Sequence, residues 1–177
     1  MGEALNARVD GTHSARLGDA IRLHAQVRDV AFGERVVVVE PSNLYECCVG
    51  DDSFVGPFVE IQRGVIIGNR CHIQSHAFLC ELVTIGDDCF ISHGVMFVND
   101  TFQGGGPAGG DRALWRATRI GDRVAVGTGA VILPVDICSD VVIGAGAVVT
   151  RDITRPGVYA GNPARFLRAL KSTDGGK

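Results

Sequence analysis

Aromatic residues are scarce in this chain: one Trp, two Tyr and eight Phe in 177 residues. That argues against a thick core built on large rings and suits a narrow one. No apolar run approaches the roughly 20 residues that cross a bilayer. The opening MGEALNARVDGTHSARLGD contains no apolar signal core, so the cytoplasm is the expected compartment. There is no excess of basic charge either. Seventeen Lys and Arg stand against 20 Asp and Glu, a formal charge of −3, which speaks against a nucleic-acid or polybasic membrane surface. No CxxC pair occurs among the six cysteines, so structural or free thiols are expected rather than zinc ligands or disulfides. The length fits a single domain.

What the chain has in abundance is glycine, 24 residues, and a repeat. From Val49 to Phe102 it reads in sixes. The first position of each hexad is Val49, Val55, Ile61, Ile67, Ile73, Leu79, Ile85, Ile91 and Phe97. Four places on stand Ser53, Val59, Val65, Cys71, Ala77, Val83, Cys89, Val95 and Thr101, all small or β-branched. Hexapeptide repetition is the signature of a β-helical solenoid, so the expected fold is all-β, with parallel strands stacked coil on coil. Three hexads make one triangular coil of 18 residues, and coils lie about 4.8 Å apart. Each residue therefore stacks on the one 18 places later. This gives corner columns Arg63–Glu81–Asn99, Pro57–Ser75–His93 and Asp51–Asn69–Asp87, and an inward ladder Ser53–Cys71–Cys89. Gly50, Gly56, Gly68 and Gly86 are expected to relieve tight corners.

Outside this run the pattern is less regular. Residues 1–16 read as a loose segment. Leu17, Ile21, Leu23 and Val27 keep the hexad spacing, which starts the β-helix domain at residue 17. The register slips near Asp29–Arg35, after which Val37 and Asn43 are in phase with Val49. That places Asn43 inward, where it needs a polar partner. Residues 103–118, QGGGPAGGDRALWRAT, have no period and read as a loop thrown out from a corner, with Trp115 as its anchor. Hexads resume at Ile120, one of them (ILPVD) a residue short, and run to residue 153. About six coils result in all. Residues 154–171 read as a turn and a short C-terminal helix. Asn162 is its cap, Pro163 opens its first turn, and Phe166, Leu167 and Leu170 form a stripe that closes the open end. Residues 172–177 are a tail.

Several segments resemble one family: FVGPFVEIQ (54–62), IQSHAFLCELVTIG (73–86), CFISHGVMFVNDTF (89–102), GGPAGG (105–110), Leu114-Trp115, IGAGAVVTRDI (143–153) and YAGNPA (159–164). They look like the left-handed parallel β-helix acyltransferases of hexapeptide repeats. Within these they are similar to the branch that N-acetylates a 3-amino group on UDP-2-acetamido-3-amino-2,3-dideoxy-glucuronate, in bacterial surface polysaccharide synthesis. The resemblance implies the left hand of the coil, acetyl-CoA as co-substrate, no metal, and homotrimers with active sites between subunits. The first 36 residues and the short ILPVD hexad depart from the family pattern.

The resemblance also directs attention to particular side chains. Amide formation needs an oriented amine, a stabilised oxyanion and a destination for a proton. Asn99, at the corner before the loop, can accept from the amine through its amide oxygen; otherwise it satisfies its own turn. Glu81, one coil below, can hold or deprotonate the amine; otherwise it is a solvated corner residue paired with Arg63. Arg63 can meet a diphosphate or sugar carboxylate, His93 can contact substrate or act as base, and Asp100 either contacts substrate or anchors the loop. Thr128, Ala145, Pro163 and Arg165 fall where the family holds acetyl-CoA. Three other functions fit the same repeat. One is a metal hydratase of the γ-carbonic-anhydrase type using His72, His76 and His93. Another is a non-catalytic scaffold. The third is an acetyltransferase with a dTDP-amino sugar, a 4-amino sugar or a hydroxyl as acceptor.

Overall fold

A computed structural model of the chain describes residues 26–171. The expected loose segment 1–16, the coil start at residue 17 and the tail 172–177 lie outside these residues. The described chain is a parallel β-solenoid, the left-handed β-helix class of hexapeptide-repeat folds. Strands of two to four residues form three faces. The first face has seven strands, from Val27–Arg28 through Met96–Phe97 to Val148–Val149. The second has six and the third eight. Seven strands on the first face mean seven coils, one more than the repeat count suggests.

The first hexad residues point inward as expected. Val49, Val55, Ile61, Ile67, Ile73, Leu79, Ile85, Ile91 and Phe97 are all buried, as are their small partners Val59, Val65, Cys71, Ala77, Val83, Cys89 and Val95. Full burial of one such Ile or Leu is worth about 1.5–3 kcal/mol, so the inner column supplies most of the driving force. Coils within this run pair at an offset of 18, as Ile67 with Ile85. The short ILPVD hexad drops the offset to 17, as Ile120 with Ile137.

Asn43 and the C-terminal segment are placed otherwise than expected. In the first coils the offset is also 17, so Leu44 pairs with Ile61 and is fully buried, while Asn43 pairs with Glu60 and is only half-buried. The short hexad falls between Leu44 and Val49, and Asn43 needs no inward polar partner. At the end, Arg165–Arg168 is a strand, not a helix, and pairs antiparallel with Gly157–Ala160. Tyr159 and Phe166 meet edge to face at 5.5 Å, and Arg155 lies over the Phe166 ring at 4.4 Å. An extended hairpin extends the third sheet past the last coil, which a helix cannot do; Phe166, Leu167 and Leu170 remain exposed.

The corners are held by repeated polar devices. In one column each side chain takes an amide from the coil before it. Asp51 accepts from Glu34 N–H, Asn69 from Asp51 N–H, Asp87 from Asn69 N–H, Asp122 from Asp87 N–H and Ser139 from Asp122 N–H. The next column alternates charge. Arg35 binds Asp52, Arg70 binds Asp88 and Arg123 binds Asp140, each through two guanidinium nitrogens. These six residues occupy the left-handed backbone position of the corner. The glycines before them have a different task from the one expected. Gly50 has no left-handed φ, but a Cβ on it would lie 2.6 Å from the backbone of Gly68 in the next coil.

The Arg partners hold Asp52, Asp88 and Asp140 below the ordinary carboxylate range, chiefly through their side-chain hydrogen bonds. A folded-state value below the unfolded one means that this stabilisation is complete above about pH 4 and is lost as pH falls through the lowered values. Asp88→Asn is expected to be less stable than the parent chain at neutral pH, with the difference closing in acid. Urea midpoints measured from neutral pH downward check this.

Candidate active site

The repeat breaks directly after Met96–Phe97. Instead of turning the corner in one step, the chain leaves at Asn99 and returns at Thr118–Ile120. Val83 consequently pairs with Thr118, 35 places later. The excursion contains one 3-10 turn, Arg112–Leu114, capped by the Asp111 carboxylate, which accepts from Ala113 N–H.

Asp100 fixes the base of this loop. Its Oδ1 accepts from Phe102 N–H at 2.9 Å and its Oδ2 from Ala108 N–H at 2.7 Å. Both oxygens are thus turned to loop backbone. Arg116 N–H closes the far side on the Asn99 carbonyl at 2.9 Å. Thr101 Oγ1, between these anchors, is buried and without a hydrogen-bond partner among the described residues.

Asn99 and Glu81 share the corner, as the 18-residue count implies. Asn99 Nδ2 donates to the Glu81 carbonyl at 3.2 Å. That bond orients the amide, and nothing among the described residues donates to its Oδ1. Glu81 N–H in turn donates to Gln62 Oε1 at 3.3 Å. The Glu81 carboxylate is mostly covered, its side chain 16% exposed, and it is paired with the guanidinium of Arg112 from the loop.

The pairing expected between Arg63 and Glu81 does not occur. Arg63 reaches the other way, to Glu46, at 2.5 and 2.9 Å. Glu46 stands beside the preceding coil's corner, and Arg63 holds its carboxyl below the usual range. Arg112 was not visible in the repeat, because a loop without a period carries no register. The sole hint was the loop's position after the Asn-Asp corner.

His93 belongs to a different corner. Its Nδ1 lies 2.8 Å from Ser75 Oγ. By strand register the same corner continues upward through Thr128 and Ala145, and Thr128 is followed closely by the next coil, its carbonyl accepting from Gly146 N–H at 2.9 Å. Thr128, Ala145 and His93 are all exposed. One flat face of the triangle separates them from Asn99, roughly 15–20 Å at the rise of a strand. Pro163 and Arg165 lie at the far end, in the turn and strand of the hairpin. Arg151, Arg155, Arg165 and Arg168 there have no carboxylate partner among the described residues.

The three histidines of the metal reading do not converge. His72 stands between Phe54 and Phe90, His76 stacks on Phe58 at 5.0 Å, and His93 is on Ser75. Among the described residues no three His, Cys, Asp or Glu side chains gather as a metal site. The cysteines are free, and burial pushes Cys47 up to about 11 and Cys80 up to about 12, which leaves both as unreactive thiols. No helix among the described residues is long and apolar enough to cross a membrane.

Comparison with known proteins agrees with this architecture. Residues 49–80 match the bacterial transferase hexapeptide family model (six repeats), and residues 117–151 match the hexapeptide repeat of succinyl-transferase. A serine acetyltransferase of Mycobacterium tuberculosis is 37% identical over 122 residues, covering 67% of this chain and 49% of that protein. A bifunctional protein GlmU of a Synechococcus species is 25% identical over 164 residues, covering 86% of this chain and 36% of that one. The chain thus spans about half or less of the length of these relatives. Among solved structures, the N-acyltransferase AntD of Bacillus cereus, in complex with dTDP and 3-hydroxybutyryl-CoA, shares the fold with a TM-score of 0.71 and 23% identity. The likeness covers 81% of this chain and 84% of that one. A maltose O-acetyltransferase of Clostridium difficile has a TM-score of 0.51 and 25% identity over 80% of this chain and 70% of its own. Residues 49–80 and 117–151 thus carry the bacterial transferase hexapeptide repeat, on a fold shared with solved acyltransferases.

Proposed function

We propose that this chain is an acetyl-CoA-dependent N-acetyltransferase whose acceptor is the 3-amino group of a nucleotide-linked sugar, UDP-2-acetamido-3-amino-2,3-dideoxy-glucuronate in surface polysaccharide synthesis. The observation that carries this reading is the Asn99 corner. An amide oriented by its own Nδ2 bond leaves Oδ1 open beside a largely covered carboxylate, under an anchored loop. Such a pair suits an amine. Glu81 attracts it as an ammonium and takes one proton, and Asn99 Oδ1 accepts from the neutral amine and aims its lone pair. The nitrogen then bonds to the thioester carbon, the carbon–sulfur bond breaks, and the departing thiolate takes the second proton. Positioning of this kind is worth about 7–11 kcal/mol. The paired carboxylate is not required to be a strong base.

Acetyl-CoA in this reading lies along the corner of Thr128 and Ala145, whose small side chains let pantetheine approach the backbone. Pro163 and Arg165 meet its nucleotide end, and Arg63 and Asp100 lie at the margin of the acceptor site. His93 shares the acetyl-CoA corner. Because one face of the triangle separates it from Asn99, a site that uses both takes them from different copies, which fits a homotrimer with sites between subunits. Asn99→Ala and His93→Ala chains, each impaired alone, are then expected to regain activity when refolded together, since some interfaces carry both intact residues. Absence of any recovery, with mixed assemblies shown by mass, contradicts a shared site.

The likeness to a dTDP-bound N-acyltransferase supports a second reading, a dTDP-3-amino-deoxyhexose as acceptor. Thiol release from acetyl-CoA against matched UDP- and dTDP-linked 3-amino sugars separates the two. The preferred reading requires the UDP-linked aminoglucuronate to have the higher kcat/KM.

A further inference from the structure

The loop brings one group to the site that neither the repeat nor the family segments mark. Arg112, in the short 3-10 turn, reaches back onto the Glu81 carboxylate. It is the cation available to Glu81. Arg63 in the coil below is bound to Glu46, Asn99 in the coil above is neutral, both Asp100 oxygens are taken by loop amides, and Arg116 makes no ion pair among the described residues. The oxygen nearest the guanidinium is Oε2, and no other side chain among the described residues bonds either carboxylate oxygen. The guanidinium itself is braced, lying 5.7 Å from the Trp115 ring centre, and Trp115 N–H donates to the Arg112 carbonyl at 3.1 Å.

We propose that Arg112 is a positioning residue of the site: it clamps Glu81 by Oε2 and keeps it ionised, so that Oε1 is presented to the acceptor's ammonium beside Asn99 Oδ1. An opposite charge at contact favours the ionised carboxylate, and two oxygens allow one carboxylate to serve two cations at once. The same clamp couples loop to site, since the segment that Asp100 anchors is also the one that aims Glu81. The amine's identity rests on the acetyltransferase reading; the hold of Arg112 on Glu81 does not.

The test uses Arg112→Ala and Arg112→Lys in the full chain. The chain has six glutamates, so selective carbon-13 labelling of Glu carboxyls gives few signals, and Glu81→Gln identifies the one from Glu81. In Arg112→Ala the Glu81 midpoint is expected to move to higher pH, and Arg112→Lys is expected to return it toward the parent value. The acceptor KM of Arg112→Ala is expected to rise by about tenfold with the acetyl-CoA KM within about twofold. A Glu81 midpoint unaltered by Arg112→Ala overturns the proposal, as does a shifted midpoint with an unaltered acceptor KM. If the parent chain turns over no amino sugar, the acetyltransferase reading fails and the amine half of this proposal with it, while the carboxyl titration still decides the clamp.

Discussion

Asn99→Ala is expected to lower kcat/KM for the acceptor amine by at least about tenfold, with the acetyl-CoA KM little changed. The substitution removes the oxygen proposed to accept from the amine and leaves the coil beneath it. It also removes the Nδ2 bond to the Glu81 carbonyl, a loss of about 0.5–1.5 kcal/mol. That is too small to unfold a chain held by a long buried column, so the drop in turnover is readable on folded protein. A parallel denaturant titration separates the two effects. Equal turnover in the variant removes Asn99 from the site. A fall in turnover matched by a fall in folded fraction makes it a corner residue only.

Phe97→Ala is expected to have the largest effect on stability, about 3–5 kcal/mol, as for other large-to-small changes at buried aromatics. Phe97 is 1% exposed and the largest of the fully buried side chains. It stacks in the inner column between Leu79 below and Ile132 above, all three buried. It also stands two residues before Asn99, so the void opens under the corner of the proposed site. Phe102, five residues on and 59% exposed, provides the control. Phe102→Ala falls within the roughly 0.5 kcal/mol typical of surface changes. Similar midpoints for the two variants contradict the inward stacking.

Where the repeat is strict, the sequence was a reliable guide. Counting by 18 put Glu81 beneath Asn99, separated His93 onto another corner and made Cys71 and Cys89 core residues, because a fixed corner geometry leaves no freedom of register. The count also located the excursion of the loop. It failed where geometry did not constrain it. Between Leu44 and Val49 a hexad lacks one residue, and Val37 and Val38 are both aliphatic, so spacing alone does not tell the Val37–Asn43 phase from the Val38–Leu44 phase that the fold adopts. At the far end Phe166 and Leu170 have helical spacing, yet the exposed edge of the third sheet made pairing the better use of that segment. Columns, moreover, show which residues are neighbours but not which neighbour an arginine chooses. Arg63 had Glu46 on one side and Glu81 on the other, and the choice was settled by Arg112, from a loop with no register to count.

The proposed role of the Asn99 corner is to receive an amine. The most direct measurement compares thiol release from acetyl-CoA with a UDP-linked 3-amino sugar, its 3-hydroxy counterpart and L-serine, the last prompted by the serine acetyltransferase relative. Release with the amine, lost in Asn99→Ala and absent with both hydroxyl acceptors, is the predicted result. Release with a hydroxyl acceptor and none with any 3-amino sugar would contradict it.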